Sequence, residues 1–259
     1  MKEKELIKLT DSEYFAEKDY FNFSTIKELL VSPLNFWWNI ENPQAPTQAM
    51  KLGTTIHCWL LEPVKFFNEY VSAPTLDKRT KEYKEFASNN TDKFIYDARE
   101  VEPIMKAIKR NKGNFPGLDL ILDAETINEY CIFWDNYKCK IDAFEENEGI
   151  LIDVKTTSDV EPMQFLRTIR KNNYHLQLAH YKKGLEACKF QVNKCKIIAI
   201  QNQAPYDVVE YELEEEVINY AEVKLEALYE KLNEVLLFDT KDGVSNKTIN
   251  VTLGGLGIC

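Results

Sequence analysis

One heptapeptide, Gly149-Ile-Leu-Ile-Asp-Val-Lys155, constrains this chain more than any other segment. Ile150, Ile152 and Val154 recur at every second position, the pattern of a strand that buries one face. Asp153 and Lys155 are also two apart, so an extended backbone projects both from the opposite face. Leu151 shares that second face, so the strand reads as interior on both sides. An acid and an ammonium are costly there unless they are paired or hold a metal. The spacing alone leaves two readings open: a built site, or an exposed strand with an ordinary Asp–Lys contact.

The neighbouring residues supply strands for this one to pair with. Glu129–Asp135 and Tyr137–Phe144 are short β-rich runs, separated by the turn-forming Asp135-Asn136, and the turn Glu145–Glu148 leads into Gly149–Lys155. The order predicts an antiparallel meander. A simple hairpin at Glu145–Glu148 pairs Phe144 with Gly149 and Asp142 with Leu151, which makes Asp153 the diagonal neighbour of Asp142. Diagonal neighbours have Cα atoms about 7–8 Å apart, near enough for two carboxylates to meet one hard cation.

Outside the meander the pattern is helical. Residues 1 to 112 read as mostly helix: Ser24 is placed to cap a segment through Glu28 that Ser32-Pro33 interrupts, and a second helix runs from Gly53 to Glu62, stopped by Pro63. After the meander come a helical pattern over Pro162–Lys189, strand-like Lys194–Ile200 and Val208–Leu213, and an amphipathic helix over Glu214–Phe238. The expected fold class is α/β, a central mixed sheet flanked by helices behind a helical N-terminal region. No repeat or linker divides residues 1–238, so one domain is expected, with a catalytic core over 113–238. Residues 239–259 read as a tail or an added hairpin.

Composition bounds the function. No apolar run is long enough to span a membrane and the N-terminus has no secretory pattern, so a cytoplasmic protein without membrane attachment is expected. The six cysteines form no C-x-x-C pair and match no cluster-ligand spacing, which predicts mostly buried, reduced thiols. A formal charge of −10 weighs against a nucleic-acid partner, because phosphates attract clustered cations. Two basic runs weigh the other way, Lys106, Lys109, Arg110 and Lys112, and Arg167, Arg170 and Lys171. Each reads equally well as a solvated helix face.

Four ordered segments, Leu52-Gly-Thr-Thr-Ile-His-Cys-Trp-Leu-Leu-Glu-Pro63, Lys140-Ile-Asp142, Ile152-Asp-Val-Lys-Thr-Thr157 and Tyr174-His-Leu-Gln-Leu-Ala-His-Tyr181, make the sequence resemble the RecE-type exodeoxyribonuclease VIII nuclease domains. These phage and prophage enzymes lie in the RecB-like branch of the PD-(D/E)XK superfamily, and the similarity runs from about Tyr20 to Leu213. The resemblance implies a PD-(D/E)XK nuclease core and a Mg²⁺-dependent exodeoxyribonuclease, with Mn²⁺ as substitute, that degrades one strand of linear double-stranded DNA from its 5′ end. It also implies a homo-oligomeric ring of three or four copies and a phage single-strand annealing protein as partner. Other RecB-like polarities or substrates, and a non-catalytic DNA-end-binding module, are the alternatives.

By the same resemblance Asp142 and Asp153 are metal-binding carboxylates, His57 a metal-site histidine, Lys155 the catalytic lysine, and Gln177 and Tyr181 the Gln-x-x-x-Tyr pair. Glu129 stands where related domains carry a glutamate. Lys140, Arg167, Arg170 and Lys171 are the candidate DNA contacts. Ile141 replaces a common Pro and Lys140 a common Arg, and neither departure removes a metal ligand. Taken by themselves, His57 on a helix and the i, i+4 pair Gln177 and Tyr181 read first as packing residues. His175 and His180 form no zinc signature and read as structural.

Overall fold

A computed structural model describes residues 4–73 and 77–244. The first half is helical: α1 (Asp11–Ala16), α2 (Phe23–Ile26) running into a 3₁₀ turn (Lys27–Leu30), α3 (Pro33–Glu41), α4 (Gln48–Leu61) and α5 (Pro63–Glu69). Strand β1 (Tyr70–Ser72), α6 (Lys81–Asn89), β2 (Phe94–Tyr96), α7 (Ala98–Arg110) and α8 (Pro116–Leu122) follow. Side-chain caps set several starts. Ser32-Pro33 does interrupt the first helical run, which ends at Leu30, and it also begins the next: Ser32 Oγ accepts from Asn35 N at 3.1 Å, and Pro33 takes a first-turn place where no N–H is needed. Asn22, not Ser24, caps α2. Thr47 caps α4, so that helix begins before Gly53 and carries His57 near its middle. The parallel pair β1–β2 was not expected, since strands of 3 residues are too short to show a period.

The second half builds the main sheet from β3 (Ile127–Trp134), β4 (Tyr137–Glu145), β5 (Ile150–Thr157), β6 (Lys194–Gln201) and β7 (Val208–Leu213), in the spatial order β3-β4-β5-β6-β7. The meander β3-β4-β5 is antiparallel as expected, β5 and β6 are parallel, and β7 returns antiparallel. Between β5 and β6 the chain crosses over through α9 (Pro162–Asn172) and α10 (Tyr174–Ala187). The single helix expected over 162–189 is thus two, because Asn173 takes a left-handed φ of 59°, a conformation asparagine tolerates better than most residues. Helix α11 (Glu215–Phe238) completes the fold.

Helices cover both faces of the sheet. Leu151, Ile197 and Ala199 pack with Leu178, Leu185, Leu225 and Leu232 of α10 and α11, while Ile152, Val154, Ile198 and Ile200 pack with Ile56, Leu60, Ile104 and Leu118 from α4, α7 and α8. Burial on both sides explains why β5 reads as nearly continuous apolar sequence. Among the described residues, four of the five free cysteines are buried, and no helix is long and apolar enough to cross a membrane. Residues 239–244 lie against α3, with Leu34 N donating to Asp242 O at 3.0 Å. The rest of the expected tail or hairpin, 245–259, lies outside the described residues.

Candidate metal centre

The β4–β5 register differs from the simple hairpin. Ala143 pairs with Ile152, Phe144 with Leu151 and Glu145 with Ile150. The turn therefore comprises residues 146–149, with Gly149 at a left-handed φ of 68° and the Glu145 carboxylate accepting from Asn147 N and Glu148 N at 2.8 and 2.7 Å. Carried one step further, this register sets Asp142 opposite Asp153 rather than diagonal to it. The ladder stops at that step. Instead of a strand partner, Val154 N–H finds Asp142 Oδ2 at 2.7 Å, and beyond it β4 and β5 share no pairs.

A third acid enters the same row. In β3 and β4 the pairs on either side, Asn128 with Ala143 and Tyr130 with Ile141, place Glu129 across from Asp142. Glu129 adopts φ 58°, left-handed and costly for a residue with a Cβ, at a roughly 1–2 kcal/mol scale. Such strain persists where surrounding structure fixes it, and it is common at functional sites. Three adjacent strands thus carry Glu129, Asp142 and Asp153 side by side.

His57 reaches this row from α4. Its Nδ1 lies 3.7 Å from Asp142 Oδ2, and ligand atoms of His57, Glu129 and Asp142 all fall within 4.8 Å of one another. The close passage of α4 over β5 depends on Gly53, one turn before His57, where a Cβ would stand 3.0 Å from Thr156 Oγ1. Asp153 is outside that trio. It is fully buried, with Lys155 Nζ 2.8 Å from Oδ1 and 2.7 Å from Oδ2. The hydrogen bond goes to Oδ1, and Oδ2 has none. Lys155 also lies over the Tyr174 ring at 4.9 Å.

The electrostatics follow from crowding. Burial, opposed by Lys155, raises Asp153 to about 6, with Asp142 adding to the rise. Burial also raises Asp142, and burial with the Asp142 charge raises Glu129. Burial and the Lys155 ammonium hold His57 below the usual imidazole range, which keeps its ring neutral and able to bind a cation. Burial opposes the Lys155 charge, yet Asp153 and Asp142 keep it raised. Crowded carboxylate oxygens from adjacent strands beside a neutral imidazole fit a hard divalent cation.

The amino-acid sequence matches the PDDEXK-like domain of unknown function (DUF3799) over residues 22–247. The chain belongs to that family. A crystal structure of a candidate exonuclease from Eubacterium rectale shares the fold, with a TM-score of 0.67 at 13% identity over 96% of this chain and 98% of that one. A phage-related exonuclease from Haemophilus somnus gives 0.34 at 10% identity over 66% and 92% of the two chains. An alkaline exonuclease from Laribacter hongkongensis gives 0.33 at 13% identity over 72% and 95%. Comparison with curated proteins finds no match.

In this PDDEXK-like chain the remaining expected residues divide in two. Gln177 and Tyr181 lie on α10, joined by a 2.6 Å hydrogen bond from Gln177 Nε2 to Tyr181 Oη. Burial and the charges of Asp153 and Asp142 push the Tyr181 phenol up, so it stays protonated beside the acids. Arg167, Arg170 and Lys171 are exposed on α9. Lys140 is not free in this way: its ammonium lies between Glu129 Oε2 at 2.5 Å and Asp11 Oδ1 at 2.9 Å. Asp11 and Tyr174 escaped the sequence reading. Tyr174 stood inside a quoted segment, but nothing local marks Asp11, which meets Lys140 across 129 positions of chain.

Proposed function

We propose that this chain is a metal-dependent exodeoxyribonuclease acting on linear double-stranded DNA. The observation that carries the reading is the row Glu129, Asp142 and Asp153 at the fork of β4 and β5, flanked by His57 and Lys155. Buried carboxylates in such number serve no packing purpose, and each costs desolvation that only a bound cation or a paired ammonium offsets.

In this reading His57, Glu129, Asp142 and Asp153 hold the metal, Mg²⁺ with Mn²⁺ as substitute. When bound, the ion supplies activation of water and neutralisation of the leaving oxygen. Lys155, fixed against Asp153 and Tyr174, presents its ammonium where the phosphate gains charge. Val154 N–H fixes one oxygen of Asp142, so that carboxylate meets its ligand in one orientation. Tyr181, held by Gln177, gives a neutral hydroxyl donor at the edge of the site. Exposed Arg167, Arg170 and Lys171 offer the duplex phosphates a cationic face that net charge conceals.

The finer assignments rest on the RecE-type resemblance: cleavage from the 5′ end, a ring of three or four copies, a phage recombination role beside an annealing protein in the host cytoplasm, and residues 1–238 working as one nuclease unit. Linear and circular duplexes labelled at either 5′ or 3′ ends, incubated with Mg²⁺ or with EDTA, test the proposal. Mg²⁺-dependent release of nucleotides from linear DNA alone is expected. Activity in EDTA, or equal attack on closed circles, overturns it.

A further inference from the structure

The proposed chemistry makes no use of Lys140, yet this residue is held against one of the proposed metal ligands. Its side chain is only 19% exposed, and its ammonium touches two carboxylates, Glu129 and Asp11. Glu129 belongs to the trio whose ligand atoms converge. An ammonium donates hydrogen bonds to the very carboxylate that a cation needs as ligand, so the two compete for it. Asp11 changes the terms of that competition. It sits in the first turn of α1, anchored by the Thr10 capping box, and offers the ammonium a second acceptor that does not belong to that trio.

Resting on the metal-nuclease reading, we infer that Asp11 and Lys140 form a counter-charge exchange: Lys140 neutralises Glu129 in the metal-free site, and Asp11 retains the ammonium when the metal takes Glu129. The acids at 129, 142 and 153 repel one another when no cation is present, and the ammonium holds Glu129 in place until one arrives. Once the ion binds, Lys140 faces a like charge. Without Asp11 it would be left buried and unpaired, which is the costly condition. Lys140 and Asp11 are therefore positioning residues that tune metal affinity, and the two have opposite effects.

Calorimetric titration with Mn²⁺ alone, in the absence of DNA, tests this on the full chain. Lys140→Gln removes the competing charge and is expected to bind Mn²⁺ roughly tenfold more tightly. Asp11→Asn strands the ammonium and is expected to bind several-fold more weakly. In the Lys140→Gln background, Asp11→Asn should lose most of its effect, since no ammonium remains to be retained. A purely structural Lys140 predicts the reverse sign for the first variant, because Glu129 would lose its support. Metal-free thermal melts report folding, and Lys140→Met serves as a second charge-free variant if the Gln protein does not fold.

Unchanged or weaker Mn²⁺ binding by the charge-free variants, or unchanged or tighter binding by Asp11→Asn, overturns the exchange. The two levels of failure are distinct. A wild-type chain that binds no Mn²⁺ removes the metal-nuclease reading and the exchange with it. A wild-type chain that binds Mn²⁺ and hydrolyses DNA, while the variants break these signs, removes the exchange alone.

Discussion

His180 and Asp153 are both fully buried, and pH acts on them in opposite directions. His180 bridges Tyr229 Oη at 2.7 Å and Lys138 O at 2.9 Å, and burial lowers its imidazole to about 4. The unfolded chain protonates this group near the ordinary value of 6.5, so its contribution to stability is present above pH 6.5 and lost as pH falls toward 4. The gap between the two values corresponds to about 3 kcal/mol. Urea melts of wild type and His180→Gln between pH 7 and 4.5 separate this loss from the opposite contribution of Asp153. His180→Gln should be less stable at pH 7, with its difference from wild type shrinking as pH falls over this window, and a constant difference would contradict the assignment. For Asp153 the informative variant is Asp153→Asn, which is expected to abolish cleavage while keeping or strengthening metal-free DNA binding. Lys155→Ala should retain metal and lose about 10²–10³ in rate, as when one transition-state contact is removed. Single-turnover cleavage beside metal titration separates the two roles.

At the scale of elements, the hairpin between β4 and β5 decides whether the acids meet. A one-residue slip in this turn would send alternate side chains to the opposite face and scatter the row. Gly149 guards against that, since its φ of 68° suits a residue without Cβ and an added Cβ would stand 2.4 Å from Gln191 O. Gly149→Ala is therefore expected to cost at least about 2 kcal/mol, from left-handed strain together with overpacking against rigid backbone. Chemical denaturation measures this, and a neutral result would mean that the turn adjusts freely. Helix α4 has a comparable duty, because Gly53 lets it approach Thr156 and so brings His57 to Asp142. That closeness was not visible in a helix pattern expected to begin at Gly53, when in fact Thr47 caps it earlier.

Across the whole molecule, a cation bound as proposed at the fork would tie together α4, β3, β4 and β5, which carry the four proposed ligands. Binding to the folded state alone raises stability by about 2.7 kcal/mol at a hundredfold excess over Kd. For a chain of this size that corresponds to a rise in Tm of roughly 5–10 °C. Thermal melts should show Mn²⁺-dependent stabilisation in the wild type and little in Asp142→Asn. Equal shifts in both would place the cation elsewhere.

The amino-acid sequence by itself determined the strands of the main sheet and most of the residue types in the candidate site. Period-two runs in the meander marked the strands, and β7 begins and ends where its pattern does. Asp153 and Lys155 shared a face because strand geometry leaves no other choice. What only the tertiary structure decided was register and long-range meeting. The place of Asp142 opposite Asp153 depends on a four-residue turn, and the row gains Glu129 through a left-handed residue whose conformation no local pattern announces. Lys140 reads in the sequence as a cation free for DNA, and only packing shows it enclosed by Glu129 and Asp11. Local periodicity records which face a side chain takes, whereas the partner across that face is set by the energy of burying charges together, which depends on parts of the chain far apart in sequence.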